Sequence, residues 1–414
     1  VNDIAAGSFF DPQVIADPFD YYRAWLPKSP VVQLSEGMFL VLSYDLCVQA
    51  TGAVDIFSND FQATLSGAMA EDGDVAAILA EGWPQVDTLL TADPPVHTRF
   101  RKLVNLAFSM KRVAAIEEDM RRVVVGLIAA MAEKGEGDFV RDFGIPLPVA
   151  MIAGQIGMQK DTDRVKRWSD AFVDRLGRMI PKERELECAR EVVEFQHHVK
   201  AKIDERRTGR TDDLLSDLVH AEVDGERPLE DAEILSIMQQ LMVAGNETTT
   251  SALAGGLLQL IENPDQMAKA VAAADAGDER TILNLVEEVL RIESPTAGMW
   301  RRVLTDTELG GVTIPRGAMV QLRYAAANRD PARYPDPDRF DIERANARSH
   351  LAFGKGIHMC IGNMLSRKEM AVAYSELLTR LTDFRLADGH TPSWPPNMLL
   401  RGLTTLPIMF RRRA

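Results

Sequence analysis

The chain has 414 residues, 46% hydrophobic and 26% charged, the balance of a folded globular protein rather than a disordered or fibrous one. Its 47 Lys and Arg stand against 61 Asp and Glu, a net charge of −14; this excludes a general nucleic-acid binder while leaving room for a local basic face. Cys47, Cys188 and Cys360 lie far apart, so the chain spells out neither a disulfide framework nor a Cys-x-x-Cys zinc site, and a reducing compartment is expected.

To about residue 90 the signals are mixed. Asp17-Pro18-Phe19 opens a short helical pattern, and Val31–Leu34 and Met38–Leu42 flank Ser35-Glu36-Gly37 as a hairpin. From Pro95 to Arg291 helices dominate: Glu117 to Ala132, Arg164 to Met179 and Glu185 to Arg206 carry apolar residues at three- and four-residue spacing. The longest candidate begins after Pro228, runs to Ile261 and is closed by Asn263-Pro264. It is apolar almost all round, which predicts a buried central helix of roughly 46 Å. Beyond Arg291, strands punctuated by Pro and Gly lead to a helix from Gly362 to about Leu381.

Length alone suggests two or three domains, yet no repeat or linker divides the chain. The expected fold class is mainly α with a smaller β-rich lobe (α+β) in one domain, residues 1–414. The β-rich lobe would come mainly from 1–90 and 295–325, the helical lobe from 95–291 and 362–381. No membrane span is expected, because the longest uncharged run, Phe143 to Gln159, contains Pro146, Pro148 and Gln155. The amino end, Val1 to Phe10, lacks a basic start and apolar run, so a cytoplasmic location is expected.

The stretch Phe353-Gly354-Lys355-Gly356-Ile357-His358-Met359-Cys360-Ile361-Gly362 is the most informative. Its glycines permit tight turns and close approach to a flat ligand, and a thiol just ahead of a helix is favoured as thiolate. A lone cysteine is commonly just a small buried hydrophobe. With no second cysteine nearby, a metal bound here must bring its other ligands. The stretch resembles, without mismatch, the haem-ligand signature of the cytochrome P450 family, Phe-Gly-x-Gly-x-His-x-Cys-x-Gly. The resemblance implies the family's fold, with a long helix over haem b (iron protoporphyrin IX). Cys360 would be the axial iron ligand, Phe353 would pack near the sulfur, Gly362 would belong to the loop, and His358 would reach a propionate.

Other segments share the resemblance. Glu288 and Arg291, three apart on a helix, resemble the Glu-x-x-Arg pair, whose third partner would be Arg339; alone they would read as a surface ion pair. Ala244-Gly245-Asn246-Glu247-Thr248-Thr249 interrupts the long apolar helix and resembles the oxygen-activation motif. There Ala244 and Gly245 would leave space, Glu247 would couple to proton delivery, and Thr248 would hold the activated oxygen or its water. His97 and Arg101, one helical turn apart, and Arg301, with Arg302 as its neighbouring alternative, would join His358 as a four-point clamp on the propionates.

The implied reaction is monooxygenation, with O2 as co-substrate and hydroxylation of a small apolar molecule. No Gly-x-Gly-x-x-Gly fingerprint is present, so the electron source would be external; the resemblance implies electrons from NAD(P)H delivered through a separate [2Fe–2S] or related ferredoxin and its reductase. That acidic partner would dock on the Cys360 side, with Lys111, Arg112, Arg348, Lys355, Arg367 and Lys368 as the candidate basic face. Pocket segments by family position are Ser66 to Leu90, Phe172 to Met179, Gln240 to Ala244, Pro295 to Trp300 and Met398 to Leu403. They supply Leu89, Leu90, Leu241, Val243, Ala244, Met299, Trp300, Met398 and Leu399 as candidate walls. A monomer is expected. The rival readings are a hydrogen-peroxide-dependent peroxygenase, which Glu247 and Thr248 argue against, a non-catalytic haem-thiolate sensor, and a helical interaction protein without haem.

Overall fold

The computed structural model describes residues 5–60, 73–159, 161–175 and 180–413. Its longest element is a helix of 32 residues, Asp231–Glu262. Its all-round apolarity predicted that helix, and Asn263-Pro264 ends it. The next helix, Pro264–Ala276, starts at once with proline in its first turn, where the missing N–H costs nothing.

The chain packs as two compact units. The first comprises Val1–Phe61, Glu117–Ile145 and Thr248–Ala414, the second Gln62–Ile116 and Pro146–Glu247. The division falls inside the central helix, between Glu247 and Thr248.

In the first unit the predicted hairpin forms β1 (Val31–Ser35) and β2 (Met38–Val41), turning on Gly37 at φ 69°. Gly tolerates that left-handed conformation without a Cβ penalty. They join a five-stranded sheet with β3 (Phe57–Ser58), β5 (Met299–Val303) and β8 (Met319–Leu322), in the order β1-β2-β8-β5-β3. Only the β2–β8 pair is parallel. A second sheet, β4-β10-β9, draws in β4 (Glu136–Asp138), β9 (Leu381–Leu386) and β10 (Pro407–Arg412). These strands lie outside the segments expected to be β-rich. The hairpin of β6 (Thr307–Leu309) and β7 (Val312–Ile314) stands separately.

The longer helices of this unit are Glu117–Ala132, Pro264–Ala276, Glu279–Glu293, Asn363–Arg380 and the central helix from Thr248 onward. The central helix, Glu279–Glu293 and Asn363–Arg380 meet at Gly256, where an added Cβ would lie 2.7 Å from Val289 and would strike the Tyr374 hydroxyl. Tyr374 donates to the carbonyls of Ala252 and Leu253, both at 3.2 Å. Close helix packing therefore depends on glycine at that position.

The second unit is helical: Val96–Asn105, Pro146–Gln155, Thr162–Arg175, Lys182–Thr208 and the first half of the central helix. Trp168 and Phe172 meet Phe195 edge-on at 5.5 and 5.0 Å, joining the third and fourth of these helices. Asn246 of the central helix donates to Ser169 at 3.0 Å. Arg99 bonds Glu233 at 2.9 Å and the carbonyls of Arg227 and Pro228, which fixes the Val96–Asn105 helix against the start of the central one.

Candidate functional site

The Cys360 loop belongs to the first unit and is fixed on both sides of the cysteine. The Cys360 amide donates to the Phe353 carbonyl at 2.8 Å, and the Cys360 carbonyl accepts from Asn363 Nδ2 at 2.7 Å. Gly354 and Gly356 turn the chain at φ 67° and 74°. At Gly356 a Cβ would lie 2.8 Å from the Thr51 carbonyl. At Gly362 it would touch the Cys360 sulfur at 3.9 Å. Cys47 and Cys188 are buried and burial pushes both thiols up, whereas Cys360 is partly exposed. Among the described residues no cluster of three or more His, Cys, Asp or Glu could hold a metal ion.

Glu288 and Arg291 are both 0% exposed, so they form no surface pair. Arg291 donates to Glu288 at 2.7 and 2.8 Å and to the carbonyls of Asn328, Pro337 and Arg339. The third side chain is Arg344, not the expected Arg339: its Nε reaches Glu288 at 3.1 Å. Arg339 is exposed and contributes only its carbonyl, to both Arg291 and Arg344.

On β5 strand alternation turns the neighbouring arginines Arg301 and Arg302 to opposite faces. Arg302 points to Asp60, bonding its carbonyl at 3.0 Å and its carboxylate at 2.9 Å. Arg301 is 3% exposed, donates to the Trp300 carbonyl at 2.7 Å, and has no carboxylate partner among the described residues. A buried guanidinium without a carboxylate calls for an anion, and a propionate is one. The same alternation separates two expected pocket walls: Met299 shares the Arg301 face, and Trp300 faces the other way. Backbone bonds from Ala297 to Leu399 and from Arg401 to Pro295, both near 2.9 Å, join the two expected wall segments. Met398 and Leu399 pack against Trp300 and Met319, while Met299 reaches both this cluster and the larger core around Val320 and Leu322.

Within the central helix, Ala244 and Gly245 are exposed although Met242 and Asn246 beside them are buried. A Cβ at Gly245 would meet nothing within 4 Å. Glu247 and Thr248 are half-buried neighbours. In the second unit Glu247 lines a polar cavity of about 330 Å³ with Asp170, Val173, Asp174 and Arg184. Leu241 is buried, Val243 and Leu89 half-buried and Leu90 exposed. The expected wall residues 66–72 and 176–179 lie outside the described residues.

His97 and Arg101 stand one turn apart on the Val96–Asn105 helix. Burial, helped by the Arg101 charge, pushes the His97 imidazole down to about 4. At neutral pH these influences leave His97 an uncharged hydrogen-bonding group.

The expected basic face is thinner than its six members. Arg112 is engaged by Asp212 and Asp217, both at 2.6 Å, Arg367 by Glu287 at 2.7 Å, and Lys368 by Glu117 at 2.8 Å. Lys111, Arg348 and Lys355 are exposed, Arg348 with its Nε 3.8 Å from Glu287. No described helix is long and apolar enough to cross a membrane.

In the first unit the residues present suit a haem: a partly exposed thiol on a rigid glycine loop and a buried cation without an acid. A sequence model of the family described as Cytochrome P450 matches residues 165–408. The chain is 34% identical over 411 residues to the steroid C26-monooxygenase of Mycobacterium tuberculosis, covering 99% of this chain and 96% of that one. It is 34% identical over 415 residues to the 6-deoxyerythronolide B hydroxylase of Saccharopolyspora erythraea, covering 96% and 98%. The structure of cytochrome P450 CYP109Q5 from Chondromyces apiculatus superposes with a TM-score of 0.85 at 33% identity, over 99% of this chain and 98% of that chain. With the loop, the buried Glu288–Arg291 pair and these full-length relatives in agreement, the chain belongs to the cytochrome P450 family and is a P450 monooxygenase.

Proposed function

We propose that the protein hydroxylates an apolar organic substrate with Cys360 as the axial haem ligand, using electrons from a separate ferredoxin and its reductase. The observation that carries this reading is the Cys360 loop, whose thiol is partly exposed while the backbone on either side of it is tied down. When bound, the haem supplies the oxidising chemistry, and thiolate ligation favours O–O cleavage.

The chain's own residues divide the remaining work. Phe353 and Asn363 hold the Cys360 backbone so that the sulfur keeps one position. Arg301 offers a buried cation to a propionate; His358, His97 and Arg101 are assigned to the propionates by their motifs. Ala244 and Gly245 leave the helix surface bare for a small ligand. Glu247, beside its polar cavity, takes protons from water and passes them along the helix to the Thr248 hydroxyl. The Met299, Met398 and Leu399 cluster supports an apolar substrate, as does the steroid in one relative's name. Lys355 and Arg348, exposed near the loop in sequence, suit an acidic electron donor.

The test joins a spectrum to a variant. The reduced, carbon-monoxide-bound protein should show the red-shifted Soret band of a thiolate-ligated haem. Thr248→Ala should keep that band yet yield less product per NADH and more hydrogen peroxide. An imidazole-type spectrum would overturn the ligand assignment, and unchanged coupling in Thr248→Ala would overturn the proton route.

A further inference from the structure

Glu287 sits beside the Glu288–Arg291 pair but takes no part in it. Its carboxylate is nearly buried and accepts from Arg367 Nε at 2.7 Å, Arg367 Nη2 at 3.1 Å and His350 Nε2 at 2.9 Å. The other nitrogen of His350 accepts from the Ala352 amide at 3.1 Å, so the imidazole is the neutral tautomer protonated on Nε2. Burial works against ionising Glu287, but His350 and Arg367 together hold it below the usual carboxylate range. Burial also lowers the His350 pKa and keeps the ring neutral.

From this anchor two short paths lead to Cys360. Arg367 Nη1 bonds the Asn363 side-chain oxygen at 2.8 Å, and the Asn363 amide donates to the Cys360 carbonyl at 2.7 Å. On the other side the Arg367 guanidinium lies over the Phe353 ring at 4.4 Å, with the His350 ring 5.6 Å away. The Phe353 carbonyl accepts the Cys360 amide at 2.8 Å. One guanidinium thus braces both neighbours of the cysteine, with three of its nitrogens engaged and only 15% of its side chain exposed. An arginine of this kind is poorly suited to greeting a partner, and its planar fork is not replaceable by lysine.

We propose that Glu287, His350, Arg367 and Asn363 form a buried clamp that positions the Cys360 loop and so keeps the sulfur in its thiolate-ligating place. The clamp rests on the assignment of Cys360 as haem ligand; its residues are positioning residues and touch no substrate. Loosening it lets the loop open locally while the rest of the fold stays intact.

Three measurements on the haem-loaded protein test the clamp. Hydrogen exchange of the peptide carrying the Cys360 amide reads local opening. The decay of the thiolate carbon-monoxide band in mild urea reads the ligand, and the global unfolding midpoint serves as the control. In Arg367→Ala both local rates should rise at least about tenfold, the factor that 1.4 kcal/mol of lost local stability gives. Arg367→Lys, which keeps the charge and loses the fork, should recover only part of this. Asn363→Ala should loosen the loop alone yet add little on top of Arg367→Ala, because both act on one path.

Parent-like exchange and band decay in Arg367→Ala would overturn the clamp. So would changes that merely follow the global midpoint, or full rescue by lysine. If Arg367→Ala fails to fold, Arg367→Lys and Asn363→Ala decide, since each retains part of the network. A parent protein without a thiolate band would refute the ligand assignment instead, and the exchange arm would still judge the clamp.

Discussion

Glu369 is 4% exposed on the Asn363–Arg380 helix, and burial alone pushes its carboxyl up from 4.5 to about 8. At neutral pH the folded protein keeps that proton while the unfolded chain releases it. A tenfold change in proton affinity is worth about 1.36 kcal/mol. At pH 7 a free carboxyl favours its ionised form by about 300-fold, so keeping the proton costs roughly 3 kcal/mol. Glu369→Gln keeps the shape and removes the titration. The variant should gain under about 1 kcal/mol at pH 5, about 3 at pH 7 and about 5 at pH 9. The sign follows from a raised folded pKa: the parent's stability is whole below about 4.5 and falls as pH climbs through about 8. Urea unfolding of parent and variant, followed by far-UV circular dichroism at the three pH values, measures the difference. An advantage equal at pH 5 and pH 9, or no advantage at all, would show that Glu369 does not hold a buried proton.

Two further pairs of substitutions separate candidate arginines. Arg344→Ala removes one partner of the fully buried Glu288 and should cost about 3 kcal/mol or more, whereas Arg339→Ala should stay within about 0.5 kcal/mol; equal shifts in thermal unfolding would contradict the assigned third partner. Arg301→Ala should speed haem transfer to an apo-globin acceptor by about tenfold or more, the loss expected of one buried charge-assisted bond. Arg302→Ala, tied to Asp60 at the surface, should leave the transfer rate nearly unchanged.

What could be read in the chain was what chemistry keeps local. The Cys360 loop is continuous, so its glycines and thiol declare themselves together. Glu288 and Arg291 are three apart, and helical geometry brings them to one face without help from the fold. Periodicity found the central helix because its burial needs apolar residues all round. The misses share one cause, which is contact made through tertiary structure. Arg339 and Arg344 lie on an irregular segment, where spacing does not say which side chain turns inward. Trp300 and Met299 were equivalent as apolar walls until the strand placed them on opposite faces. Composition counted Arg112, Arg367 and Lys368 as a basic face, but it could not see the acids already holding them. The acid doublet Glu287-Glu288 was the one available sign of the clamp: a single arginine at Arg291 satisfies one carboxylate, and a second buried acid needs partners of its own.

The Arg291 guanidinium takes hold of Pro337 and Arg339 through their carbonyl oxygens. Every amino acid carries that oxygen, so the arginine reads the path of the chain and ignores the letters written along it. Side chains at 337 and 339 can therefore be exchanged with little effect on the anchor. An inserted or deleted residue would move the oxygens out of reach and strand a buried charge. Around Arg291 the molecule thus holds a stretch that tolerates spelling changes and forbids changes of length.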